Sequence, residues 1–255
     1  MTQSQLSRPE QLKQLKQLKQ RNKRPLNEPT LVLFCKRPKL NQGKQRLAED
    51  STAESALKIA QALLACAIED ANAWQGPVVI ACSNNNDIEW AQSLANNIQV
   101  ITQLPAGKSG NLGERLNYVD RQLRAQGHQK LVIIGTDAPI LDNEHFQAAI
   151  FALQSHDIAL SHADDGGVVI MANKVPWPML TDLPWSTNEL SQSLLLHCQQ
   201  QKLTVQYSLP GYDVDYITDL KKLFIDLQTD LRPARQALLQ TINEFFAIPE
   251  VISHA

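Results

Sequence analysis

The feature that most constrains this chain is a repeated alternation that begins at Leu31. Short apolar runs of strand length are separated by segments whose apolar residues recur at helical spacing. LVLFC (Leu31 to Cys35), PVVIACS (Pro77 to Ser83), QVITQ (Gln99 to Gln103), Leu131 to Gly135 and Asp157 to Ser161 read as strands. Between the first two, Leu57, Ala60, Leu64 and Ile68 fall on one helical face, opened by a capping box of Ser51 and Glu54. A short helix is expected around Ile88 to Ala95. Leu112, Leu116, Val119 and Leu123 mark the apolar face of another, which stops near Gly127, and a further helix spans about Glu144 to Leu153. Strand–helix alternation of this kind specifies an α/β fold: a three-layer α/β/α arrangement around a mainly parallel sheet.

After Ser161 the rhythm changes. Val168 to Ala172 follows its predecessor too closely for a crossover helix, so it is either antiparallel or part of a small accessory sheet. Ser186 and Glu189 suggest another capping box, opening a helix through Leu190, Leu194 and Cys198. LTVQYS (Leu203 to Ser208) is the last strand, with helices expected near Thr218 to Leu227 and Pro233 to Phe246.

At 255 residues and 43% hydrophobic, the chain can bury a sizeable core. Residues 1–29 stand apart: QLKQLKQLKQ repeats every three residues, so its leucines drift around a helix instead of forming a stripe. The expected organisation is a basic, flexible arm over 1–29 and a single domain over 30–255. With seven basic residues against two acidic ones in the arm and a formal net charge of -2 for the whole chain, the body is acidic. An acidic body that handles phosphate calls for a metal ion as intermediary. The four cysteines, Cys35, Cys66, Cys82 and Cys198, lie in apolar runs without metal-ligand spacing. No stretch reads as a secretion signal or a membrane span, so a cytoplasmic location is expected, with no nucleic-acid partner.

In such a sheet, ligands bind beyond the carboxyl ends of the strands, which singles out four loops. Cys35 to Ala48 carries Lys36, Lys39, Lys44 and Arg46; it is either a polyphosphate cradle or a solvated basic loop. It has neither the Walker A nor the Rossmann glycine pattern. GTDAP places Asp137 directly after an apolar strand, as a metal ligand or as a turn cap. Asp164 and Asp165 precede Gly166 and Gly167, so one carboxylate could serve as a general base, or the four residues could simply make a hairpin turn. In GYDVDYITDL, Asp213 and Asp215 alternate onto one face of extended backbone, while Asp219 sits at a helix start, where its charge suits the dipole.

Taken together and in order, these loops resemble a family of bacterial glycosyltransferase-like proteins with the GT-A, or nucleotide-diphospho-sugar transferase, fold. The family is known as the arsenosugar-biosynthesis-type glycosyltransferases or as domain of unknown function 2064. It is related more distantly to guanylyltransferases of molybdenum-cofactor and coenzyme F420 biosynthesis. The resemblance rests on Lys36, Pro38, Lys44, Arg46, Leu47 and Ala48 in the first loop and on Gly110, Asn111, Leu112, Gly113 and Arg115. It continues through Ile134, Gly135, Thr136, Asp137 and Pro139, then Asp164 to Gly167, Pro184 to Thr187, and Asp213, Val214, Asp215, Asp219 and Leu220. It spans roughly Leu31 to Lys222. Asn41 stands where a glycine is usual, Gln45 replaces a threonine, Asn111 an aspartate, and Val168 and Val169 stand where aromatic residues are usual.

The resemblance implies a transferase that moves a sugar from a nucleotide-diphosphate sugar to a small-molecule acceptor with Mg²⁺ or Mn²⁺. Asp137 and Asp215 would hold the metal, and Asp137 and Asp165 would be the catalytic carboxylates. Lys36, Lys44, Arg46, Gly110 and Asn111 would bind nucleotide and phosphate; Asp164, Gly166, Gly167 and Trp185 would line the substrate side. Trp185 could equally be a core anchor, and His162 is expected to be a hydrogen-bonded loop residue. Two alternatives share these residues. One is nucleotidyl transfer from a nucleoside triphosphate with release of pyrophosphate; the other is a non-catalytic nucleotide-binding protein.

Overall fold

The computed structural model describes residues 28–96 and 98–247. All but the last two residues of the expected basic arm lie outside them. Among the described residues seven strands form one sheet, in the order β3-β2-β1-β4-β6-β5-β7. They are β1 (Thr30–Cys35), β2 (Val78–Cys82), β3 (Gln99–Thr102), β4 (Leu131–Ile134), β5 (Ile158–His162), β6 (Val168–Asn173) and β7 (Val205–Tyr207). β6 runs antiparallel to both β4 and β5, and every other pairing is parallel. Of the two readings for Val168 to Ala172, the antiparallel one holds, inside the main sheet and not in an accessory one.

Because side chains alternate along a strand, each central strand feeds two cores. Leu31, Leu33, Val132, Ile134, Ile170 and Ala172 face α2 (Ala53–Ala73), which follows the five-residue α1 (Gln45–Glu49). The same face is covered by α3 (Ile88–Gln92) and α5 (Asn143–Ser155). Val32, Leu131, Ile133, Leu160 and Met171 face the opposite way, against α4 (Leu112–Ala125) and α6 (Leu190–Gln200). Both faces of the interior strands are therefore buried, which is why they read as unbroken apolar runs and not as alternating ones. A third cluster packs α7 (Ile217–Asp226) and α8 (Pro233–Ala247) onto the outer side of α2, through Leu220, Leu223, Leu238 and Ile242.

Two capping expectations are corrected. The cap of α2 is Thr52, whose hydroxyl accepts from the Ser55 N–H at 3.1 Å, while Ser51 donates to the Leu47 carbonyl. At α6 no box forms: Ser186 is left-handed at φ 64°, and the helix opens at Leu190 behind a Glu189 that makes no side-chain cap. Both segments meet the box's spacing, but the preceding turn decides which hydroxyl points along the helix axis. A box does form at α4, where the Asn111 side chain accepts from the Glu114 N–H and the Glu114 carboxylate accepts from the Asn111 N–H. The four cysteines are buried, and burial pushes the thiols of Cys35, Cys66 and Cys198 up to about 12, far from a reactive thiolate. Among the described residues no helix is long and apolar enough to cross a membrane.

Candidate active site

The carboxyl ends of β1, β2, β3, β4 and β5 share one edge of the sheet, and the antiparallel β6 begins there. A cavity of about 680 Å³ opens along that edge. Its floor is apolar, lined by Phe34, Leu116, Ile133, Met171, Val168 and Trp185; its rim is polar, with Lys36, Ser83, Asn84, Gln103, Arg115 and Asp137. Asp213 and Asp215 complete the rim on the side of the loop that follows β7.

Asp137 reaches this edge because β4 ends at Ile134 and turns immediately. Gly135 leaves room for that carboxylate, since a Cβ there would stand 2.7 Å from Asp137 Oδ1 and push it aside. Behind the turn, the Val214 N–H donates to the Asp137 carbonyl at 2.9 Å, tying the loop after β4 to the segment Asp213–Asp215. Asp219 fixes that segment from the other side, accepting from the N–H groups of Asp215 (2.8 Å) and Tyr216 (2.6 Å) at the start of α7. Its role at the helix start is the one its position suggests. As a result, one carboxylate oxygen each from Asp137, Asp213 and Asp215 lie within 4.8 Å of one another. Burial, followed by the charges of Asp137, Asp215 and Asp165, pushes the Asp213 carboxyl up to about 6, with Lys44 pulling the other way.

The first loop delivers cations to the same point. Asn41 (φ 59°), Gly43 (φ 80°) and Lys44 (φ 49°) are all left-handed, so the chain doubles back before α1. Asparagine tolerates that conformation, which accounts for Asn41 at a position where glycine is usual. The Lys44 ammonium donates to Asp137 Oδ2 and to Asp215 Oδ1, both at 2.9 Å. Burial alone would lower its pKa, but the two carboxylates outweigh burial and raise it to about 12. Arg46 donates to Asp215 Oδ2 at 3.0 Å, with its guanidinium 4.6 Å from the centre of the Tyr216 ring. Lys36 lines the cavity, whereas Lys39 turns away to Asp87 at 3.0 Å. Arg37 turns the same way, towards Asp87 at 3.7 Å, so three of the five cations in the loop face the site.

Asp165 accepts from the Gly167 N–H at 2.9 Å within the β5–β6 turn and lies close enough to add its charge to that felt by Asp213. Gly166 is left-handed at φ 87°, and a Cβ on it would collide with the Asn188 carbonyl. Asp164 points outward, bridging Lys222 at 2.7 Å, and does not reach the cavity. Asn111 is held in the cap of α4, and its side-chain N–H donates to the Thr181 carbonyl at 2.7 Å. Gly110 accepts from Arg115 Nε at 3.0 Å. Trp185 both lines the cavity and anchors, its ring N–H donating to the Leu180 carbonyl at 2.9 Å. Gly113 permits that arrangement, because any side chain there would strike the same carbonyl. His162 is not hydrogen-bonded through Nδ1; its ring packs edge-on to Tyr207 at 5.4 Å.

Sequence reasoning missed the polar end of the cavity. Ser83 and Asn84 follow β2 directly, and Gln103 follows β3. Arg115 Nη1 donates to Gln103 Oε1 at 3.1 Å, and Gln103 donates in turn to the Ala81 carbonyl at 2.9 Å. The signal was available for Ser83, Asn84 and Gln103, which obey the same strand-end rule that singled out Asp137.

Residues 66–187 match the family model described as "Uncharacterized protein conserved in bacteria (DUF2064)". This is the family that the motifs resemble. Among solved structures, the chain is similar to a protein of Desulfovibrio desulfuricans G20 provisionally named a nucleotide-diphospho-sugar transferase. The two share 21% identity and a TM-score of 0.75, over 85% of this chain and 97% of that one. The fold is accordingly that of the nucleotide-diphospho-sugar transferases, as the sequence led one to expect. Looser overlaps exist with a cytidylyltransferase from Leptospira borgpetersenii serovar Hardjo-bovis (strain JB197) (TM-score 0.47, 13% identity, 89% of this chain and 98% of that one). Another is with a CMP:2-keto-3-deoxy-manno-octonic acid synthetase complexed with CTP (TM-score 0.48, 12% identity, 84% and 99%). At such scores these two carry no argument. No curated protein matches the chain.

Proposed function

We propose that the chain is a transferase that takes a nucleotide-diphosphate sugar into the carboxyl-edge cavity and passes the sugar to a small acceptor. The observation that carries this reading is the convergence of Asp137, Asp213 and Asp215 with Lys44 and Arg46 at the rim of a 680 Å³ cavity. Three hard oxygen donors on separate carboxylates suit Mg²⁺ or Mn²⁺, so the residues fit the metal that this kind of chemistry uses. Asp137 and Asp215 would hold it, with Asp213 beside them, and the bound ion would neutralise the leaving diphosphate.

The chain's own residues supply the rest. Lys36, Lys44 and Arg46 bring positive charge to the phosphate oxygens, and the polar end at Ser83, Asn84, Gln103 and Arg115 accommodates the nucleoside. The apolar floor and Trp185 exclude water from the sugar. Asp165, at the turn opposite, orients or deprotonates the acceptor hydroxyl.

The test is incubation of the purified protein with Mn²⁺ and either nucleotide sugars or nucleoside triphosphates plus sugar phosphates. Glycosyl transfer or slow hydrolysis releases free nucleoside diphosphate from the nucleotide sugar. Pyrophosphate release from a triphosphate, without nucleoside diphosphate, would replace glycosyl by nucleotidyl transfer. Thermal stabilisation by a nucleotide with no turnover under any combination would leave a binding protein.

A further inference from the structure

Asp215 has both of its oxygens on cations: Oδ1 on Lys44 at 2.9 Å and Oδ2 on Arg46 at 3.0 Å. Asp137 gives Oδ2 to the same Lys44 ammonium at 2.9 Å. A divalent ion bound at about 2.0–2.6 Å from these oxygens would need the space between the two carboxylates, which is where the ammonium sits. One cation must therefore leave. Arg46 is stacked on Tyr216 and lies on the outer oxygen, so moving it would not clear the gap. Lys44 is in the gap, on a flexible four-carbon stem whose side chain is 12% exposed, in a loop of left-handed residues.

We infer that Lys44 is a built-in counter-ion occupying the divalent cation's seat, and that metal entry displaces its ammonium towards the phosphate side of the cavity. This rests on the reading of Asp137 and Asp215 as metal ligands. Before metal arrives, the ammonium offsets part of the repulsion among Asp137, Asp213 and Asp215. Once displaced, the same ammonium is free to meet a phosphate oxygen. Metal and diphosphate then bind with positive coupling, because the first to arrive frees or stabilises what the second needs.

The experiment uses Mn²⁺ alone, with no nucleotide, on the full chain. Its affinity is measured by electron paramagnetic resonance or calorimetry for the wild type, Lys44→Met and, as a control, Arg46→Met. Lys44→Met should bind Mn²⁺ at least tenfold more tightly than wild type, and Arg46→Met should change affinity by less than Lys44→Met. In the wild type, amine acylation read by mass spectrometry should rise at Lys44 when Mn²⁺ is added, a readout that holds even if the methionine variant folds poorly. Equal or weaker Mn²⁺ binding by Lys44→Met, or Lys44 labelling that Mn²⁺ does not change, would overturn the displacement while leaving the metal reading intact. Absence of Mn²⁺ binding in every protein, with millimolar metal, would overturn both.

Discussion

Two clusters in this molecule both set carboxylates against cationic side chains, and they behave oppositely. On the flank, Arg235 is fully buried and every arm of its guanidinium is satisfied. It donates to the carbonyls of Pro139, Cys66 and Leu141, and to Glu69 at 3.0 Å and Asp70 at 2.6 Å. Arg232 adds a second bond to Asp70 at 3.0 Å and closes on Asp230. At the carboxyl edge, Asp137, Asp213 and Asp215 are gathered around Lys44 and Arg46, with Asp165 nearby, and the carboxylates stay partly exposed at the cavity. The flank cluster is a staple, pinning α8 to α2 and to the segment that runs on from Asp137. The edge cluster is left open to a cavity, as a site that takes a cation would be.

The largest effect should come from breaking the staple. Arg235→Met would leave Asp70 buried without its main partner and should cost on the order of 3–5 kcal/mol, read by urea denaturation. A loss below about 1 kcal/mol would erase the distinction between the clusters. Next, Asp137→Asn should lower Mn²⁺-dependent release of nucleoside diphosphate on the order of a hundredfold, equivalent to roughly 3 kcal/mol of barrier. Its melting temperature should change far less than that of Arg235→Met; a matching collapse in stability would mean Asp137 is structural.

A smaller effect, of opposite sign, is expected at Asp213. Its folded-state pKa of about 6 lies above the ordinary 3.8, so between those values the native state binds more protons than the unfolded chain. Stability in chelator should fall as pH rises from about 4 to about 6. Asp213→Asn should flatten that slope and gain about 1 kcal/mol at neutral pH, after discounting for solvent at the rim. A variant no more stable than wild type at pH 7 would show that the edge cluster is already balanced. The smallest change belongs to Arg46→Gln. An exposed pair with Asp215 should be worth less than about 1 kcal/mol, and the difference should shrink further in salt.

How much could be read in advance depended on the range of the interaction. β1, β2 and β4 were legible because Leu31–Cys35, Val78–Cys82 and Leu131–Ile134 are buried on both faces, and burial on both faces demands an uninterrupted apolar run. The cap of α2 was missed by one residue, since Ser51 and Thr52 both fit the local pattern and only the turn geometry separates them. Lys39 looked like Lys44 in the sequence, yet one meets Asp87 and the other meets Asp137 and Asp215. Asp164 and Asp165 are adjacent and point to different neighbours, Lys222 and the Gly167 N–H.

The order of strands and helices, the buried runs and the placing of Asp137 at a strand end were determined by the sequence alone, because periodicity and chain reversal act over a few residues. Tertiary structure alone decided which charges meet. Lys44 and Asp215 are 171 positions apart, and their 2.9 Å contact exists because β1, β4 and the Asp213–Asp215 segment end at the same edge. Charge pairing over that separation depends on where the backbone carries each group, and no local pattern encodes it.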